Sequence, residues 1–161
     1  MKLTAHFALA EFTRSESAKR HGVSNEPTPE HLKNLITLCE KVLEPIRMKF
    51  GPINISSGYR SKMLNHFIGG ALKSDHSFGC AADIDQDGTG TAYTNNEVFH
   101  FIKDNLKFKQ LIAEFPKDGQ LGWVHVSYDP NNLKQEILIA TDKVAGRTNY
   151  VHYKGNEKLV K

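Results

Sequence analysis

The chain has 161 residues, 39% hydrophobic and 24% charged, ordinary values for one soluble globular domain with a real core. Its net charge of +3 is too mild to argue for nucleic acid, and suits weak attraction to anionic polymers such as cell-wall material. No run approaches the roughly 20 apolar residues a membrane span needs, and two cysteines, Cys39 and Cys80, make no disulfide framework.

The N-terminus, MKLTAHFALAEFTRSE, turns acidic and polar after a short apolar patch and has no signal-peptide pattern, so synthesis in the cytoplasm is expected. Thr13-Arg-Ser-Glu16 reads as a capping box opening a short helix that stops near Gly22. Thr28 caps the next helix, with Pro29 at its first position, where a missing N–H costs nothing. Leu32, Leu35, Ile36, Cys39, Val42, Leu43 and Ile46 fall on one face at helical spacing. Pro45 should kink this helix or end its regular part.

Gly51-Pro52 breaks the chain, and Ile53 to Ser56 reads as a strand. A short helix spans Ser61 to Phe67 and ends at Gly69-Gly70; a strand follows at Ala81 to Asp85. The stretch DQDGTGT lacks the terminal glutamate of an EF-hand loop and reads as a solvated turn. Thr94-Asn-Asn-Glu97 is a second capping box, and Val98, Phe99, Ile102 and Leu106 give its helix a buried face. Strand signals follow at Gln110–Phe115, Trp123–Tyr128, Glu136–Thr141 and Thr148–Lys154, separated by turn residues. The expected architecture is α+β, a single domain over residues 1–161, with N-terminal helices packed on a mainly antiparallel sheet whose C-terminal half runs as a meander.

The chemistry concentrates in three residues. His76 and Asp83 stand seven apart around Gly79, Cys80, Ala81 and Ala82, and His125 lies downstream in a predicted strand. Alternation on that strand puts Trp123, His125 and Ser127 on one face and Val124, Val126 and Tyr128 on the other. Imidazole nitrogen and carboxylate oxygen suit zinc, and catalytic zinc sites take three protein ligands and keep one place for water. We expect His76, Asp83 and His125 to hold one Zn2+. The other six histidines, His6, His21, His31, His66, His100 and His152, read as surface or core residues. A general base must move the water's proton to the leaving amine. Glu114, in the strand preceding that of His125, is the first choice and Asp118 the second. Arg60 can hold a substrate carboxylate or a developing oxyanion, and Ser74 can donate a hydrogen bond to a substrate backbone.

Several of these segments together resemble a known family. Ser57-Gly-Tyr-Arg60, Asn65, Gly69-Gly70-Ala71, Ser74-Asp-His76, the His-x-x-Gly-x-Ala-x-Asp run from His76 to Asp83, and Trp123-Val-His125 are similar to the M15 zinc peptidases. The likeness runs from about Phe7 through Tyr128 and is nearest to the D-Ala-D-Ala carboxypeptidase-type domain of bacteriophage and bacterial genomes. It implies a hedgehog/D-Ala-D-Ala peptidase-like fold and hydrolysis of peptidoglycan stem peptides, as carboxypeptidase, dipeptidase or L-alanyl-D-glutamate endopeptidase. It also implies zinc on His76, Asp83 and His125, a substrate or oxyanion arginine at Arg60, and a substrate serine at Ser74.

The chain departs from the family pattern at one functional position. Many members carry the catalytic acid three residues before the last ligand, where this chain has Gly122, and others carry a histidine five residues before it, where this chain has Gln120. Two readings follow: a monomeric, endolysin-like zinc peptidase reaching the wall by phage- or lysis-dependent release, or a catalytically weak zinc-containing wall-binding or phage structural module.

Overall fold

The computed structural model of the chain describes residues 1–144 and 147–155. Two short helices, α1 (Leu9–Thr13) and α2 (Glu16–His21), open it. The cap of α2 is Ser15, whose hydroxyl accepts from the Ala18 N–H, so the expected cap at Thr13 is corrected by two residues. Thr13 closes α1 instead, its hydroxyl bonded to the Leu9 carbonyl. Thr28 accepts from the His31 N–H and starts α3 (Pro29–Leu38). A π-helical stretch, Cys39–Leu43, joins α3 to α4 (Glu44–Phe50). Pro45 has no N–H to offer an earlier carbonyl, and the chain meets it with this widened turn, in which the Glu44 N–H reaches the Cys39 carbonyl. The helix axis continues past the proline to Gly51.

After β1 (Ile55–Ser57) come α5 (Lys62–Phe67), a 3-10 turn at Asp75–Phe78, β2 (Ala81–Ile84) and α6 (Asn95–Asn105). The capping box of α6 forms as the sequence predicts: Thr94 accepts from the Glu97 N–H, and the Glu97 carboxylate accepts from the Thr94 N–H. β3 (Gln110–Glu114), β4 (Trp123–Ser127), β5 (Glu136–Val144) and β6 (Arg147–His152) complete the fold.

The sheet order is β1-β2-β4-β3-β5-β6. Every neighbouring pair is antiparallel except β3 and β5, so the fold is α+β with a mainly antiparallel sheet. The expected C-terminal meander is corrected here. β4 inserts between β3 and β2, filling one side of β3, so the connection at residues 128–135 carries the chain across to the free side. There β5 must run parallel to β3. Gln135, at φ 53, turns the chain into β5, and its N–H bonds the Phe108 carbonyl.

Alternation sorts the two sheet faces. Ala82, Ile84, Leu111, Ala113, Val124 and Val126 enter the core, where they meet Leu35, Leu38, Val42 and Ile46 of the long helix and Val98, Phe99 and Ile102 of α6. Burying each large apolar side chain contributes about 1.5–3 kcal/mol. The helices thus occupy one face. The other face carries Asp83, His125, Ile112, Glu114 and Trp123, and becomes the floor of a cleft. No helix among the described residues is long and apolar enough to cross a membrane.

Candidate metal centre and active-site cleft

The register of the central strands builds the first half of the site. Asp83 on β2 stands opposite His125 on β4, which stands opposite Ile112 on β3. Asp83 Oδ1 lies 2.8 Å from His125 Nδ1. The third member arrives from outside the sheet. His76 sits in the 3-10 turn before β2, and Gly79, at φ 70, reverses the chain so that the turn feeds straight into the strand. A side chain at Gly79 would also strike the His31 carbonyl of α3, because a Cβ there would lie 2.3 Å from its oxygen. His76 Nε2 ends 3.2 Å from both His125 Nδ1 and Asp83 Oδ1.

A backbone carbonyl fixes the orientation of His76. Its Nδ1–H donates to the Gly58 oxygen at 2.7 Å, which leaves Nε2 as the lone-pair nitrogen facing the other two groups. Gly58 has no room for a side chain, since a Cβ would lie 2.6 Å from the Phe12 Cα. The Ser57-Gly-Tyr-Arg60 turn therefore delivers two things to the centre: the Gly58 carbonyl and the Arg60 guanidinium. Arg60 Nη2 donates to Asp83 Oδ2 at 2.8 Å, and its Nε donates to the Ser57 hydroxyl at 3.1 Å.

These three buried side chains form a closed triangle of donor atoms. The fit to zinc follows from the donors themselves. Two imidazoles and a carboxylate are zinc ligands, and a tetrahedral ion with ligands at about 2.0–2.2 Å spaces them roughly 3.3–3.6 Å apart. Two edges of the triangle, at 3.2 Å, come close to that spacing, and the third, at 2.8 Å, is tighter by at least about half an ångström. Burial lowers the His76 pKa, keeping the imidazole neutral as a ligand must be. In the metal-free cluster burial also opposes charge on Asp83, but attraction to the His76 and His125 rings when these carry a proton outweighs it and holds the carboxyl well below the usual carboxylate range.

Around the triangle opens a cleft of about 950 Å³. Glu114 and Ser74 both line it with Arg60, His76, Asp83 and His125, so both residues expected to act beside the donors open onto the same cleft. Glu114 is 6% exposed, and burial pushes its carboxyl from the ordinary 4.5 up to about 7, against the pull of His125 and Arg60. Asp118 does not join them: it is exposed, at φ 51 in the tight turn between Lys117 and Gln120. The Gly122 N–H bonds the Glu114 carbonyl at 2.9 Å, and a Cβ at 122 would lie 3.2 Å from that oxygen. The position that lacks an acidic side chain is thus backbone-paired to the residue that brings one from the adjacent strand.

Sequence reasoning missed three contributors. The Gly58 carbonyl was visible only as part of a motif. Arg147 and Tyr150 of β6 both line the cleft; Tyr150 arrives there through strand register, which has no local sequence signal. The remaining histidines lie away from the triangle; His6, for example, pairs with Glu44 at 2.7 Å.

No curated protein matches the chain. A family model, Peptidase M15, matches residues 5–127, a span that begins before α1 and ends with the last residue of β4. That span contains the donor triangle, Arg60, Ser74 and Glu114, and on it the chain belongs to the peptidase M15 family.

Proposed function

We propose that this chain is a zinc peptidase that hydrolyses peptide bonds of bacterial peptidoglycan stem peptides, as a D-Ala-D-Ala carboxypeptidase or endopeptidase. The observation that carries the reading is the convergence of three buried zinc-type donors with a buried carboxyl of raised pKa in one open cleft. In this reading His76 Nε2, Asp83 Oδ1 and His125 Nδ1 hold the ion. When bound, zinc polarises the scissile carbonyl and acidifies water.

The chain's own groups do the rest. Glu114 takes a proton from the attacking water and returns it to the nitrogen of the leaving amine. Burial raises the pKa of this carboxyl, which favours its carrying the proton between the two transfers. Arg60 donates to Asp83 Oδ2 and also lines the cleft, where its fork can meet a substrate carboxylate or the developing oxyanion. Ser74, at the entrance to the turn carrying His76, offers a hydroxyl to the substrate backbone. Action on the wall as a monomer, after phage- or lysis-dependent release, belongs to the same proposal.

The test is incubation of zinc-loaded protein with peptidoglycan fragments, scored for new amines and released alanine. Turnover lost in Glu114→Gln supports the reading. No product under any metal condition would overturn it. One observation favours a second reading: Gly122 stands where many relatives place their acid. A wall-binding module predicts tight binding to peptidoglycan without turnover, undiminished by Glu114→Gln.

A further inference from the structure

The family match ends at residue 127, yet the cleft does not. Its floor continues onto the β5–β6 hairpin. Across the sheet, Trp123 pairs with Glu114, Glu114 with Ala140, and Ala140 with Tyr150. Residues directly opposite on neighbouring strands share a face. Tyr150 therefore lies on the same face as Glu114, separated from it by two strand spacings of about 4.8 Å each. The residue between them is an alanine, too short to screen one from the other. Consistent with that geometry, the Tyr150 phenol is raised first by burial and then by the Glu114 and Asp83 carboxylates.

The charge pattern of the cleft points to what this hairpin meets. Of the cations lining it, Arg60 is paired with Asp83, Lys109 with Asp75 at 2.6 Å and Lys134 with Glu136 at 2.9 Å. Lys73 and Arg147 have no ion-pair partner among the described residues. Arg147 is exposed at the start of β6 and is among the cleft's lining residues, although three residues from Tyr150 it alternates to the other strand face; its planar fork is the group that binds a carboxylate bidentately.

We propose that the β5–β6 hairpin is a substrate-recognition wall, in which Arg147 binds a side-chain carboxylate of an acidic peptide and Tyr150 packs along that peptide on its way to Glu114. The proposal rests on the peptidase reading but makes a separable claim: selection for a carboxylate in the substrate, made by residues outside the family match.

The test uses two probes, alanyl-glutamyl-lysyl-D-alanyl-D-alanine with a free glutamyl carboxylate, and the same peptide with that group amidated. Zinc-loaded wild type, Arg147→Gln and Tyr150→Ala are compared by turnover and by calorimetric binding. Both residues are on an edge strand, and urea midpoints confirm that the variants remain folded. Arg147→Gln is expected to weaken kcat/KM for the free-carboxylate peptide by roughly tenfold or more, mainly through KM, and to leave the amidated peptide unchanged. Tyr150→Ala is expected to raise KM for both. Equal treatment of the two peptides by wild type, with no selective loss in Arg147→Gln, overturns the recognition wall while leaving the peptidase reading standing. Arg147-dependent binding of the free-carboxylate peptide without cleavage of either has the opposite meaning: the wall stands and the catalytic reading falls. Neither binding nor cleavage by wild type overturns both.

Discussion

Glu114→Gln separates a buried, proton-binding carboxyl from a strand residue that merely faces solvent. The wild-type group moves from 4.5 in the unfolded chain to about 7 in the folded one. Below pH 4.5 it is neutral in both states and contributes nothing. Between 4.5 and 7 the folded state binds more of its proton than the unfolded state does, so stability falls as pH rises. Above 7 the cost is complete, and at 1.36 kcal/mol per pKa unit it amounts to about 3 kcal/mol. Glutamine fills the same space and does not titrate. The assay is urea unfolding of chelator-treated protein, wild type and variant, at closely spaced pH values from 4 to 8. The variant should gain up to about 3 kcal/mol relative to wild type between pH 4 and pH 8, with most of the gain on the rise through the 4.5–7 window. A stability difference that is flat across this range would refute the reasoning, because it would mean that Glu114 ionises in the folded protein as freely as in the unfolded chain.

Three further outcomes are expected. The intact chain should take up one zinc, and His76→Ala, Asp83→Ala and His125→Ala should each fail to, read by elemental analysis; one equivalent retained by two of the three would rule out a shared site. Arg60→Ala should keep its zinc and lose turnover by roughly 100-fold or more, since the guanidinium bonds Asp83 through the oxygen that faces away from the triangle. Metal lost together with turnover would instead make Arg60 a brace for Asp83. Gly58→Ala should cost about 1–3 kcal/mol, because its new Cβ would collide with the Phe12 backbone. Its metal affinity should fall as well, since the Gly58 carbonyl orients His76, and an unchanged urea midpoint would show that the turn relaxes freely.

Much of this protein could be read locally. Thr28 with Pro29, and Thr94 with Glu97, start helices because a hydroxyl or carboxylate satisfies the backbone N–H groups of its own first turn. Trp123, His125 and Ser127 share a strand face because the pleat has a period of two. His76, Asp83 and His125 could be singled out as expected ligands because their residue types suit zinc and the motifs around them resemble those of the M15 peptidases. The decisions left to tertiary structure are those made between distant segments. Which strand lies beside which depends on long-range pairing, so β4 entered the sheet between β2 and β3, and β5 ran parallel to β3. That order put Glu114 beside His125 and left Asp118 in an exposed turn. It also carried Tyr150 and Arg147 onto the cleft. The pKa of Glu114 and the tautomer of His76 were decided in the same way. Burial sets the first and the Gly58 carbonyl sets the second, and neither exists until the chain has folded around them.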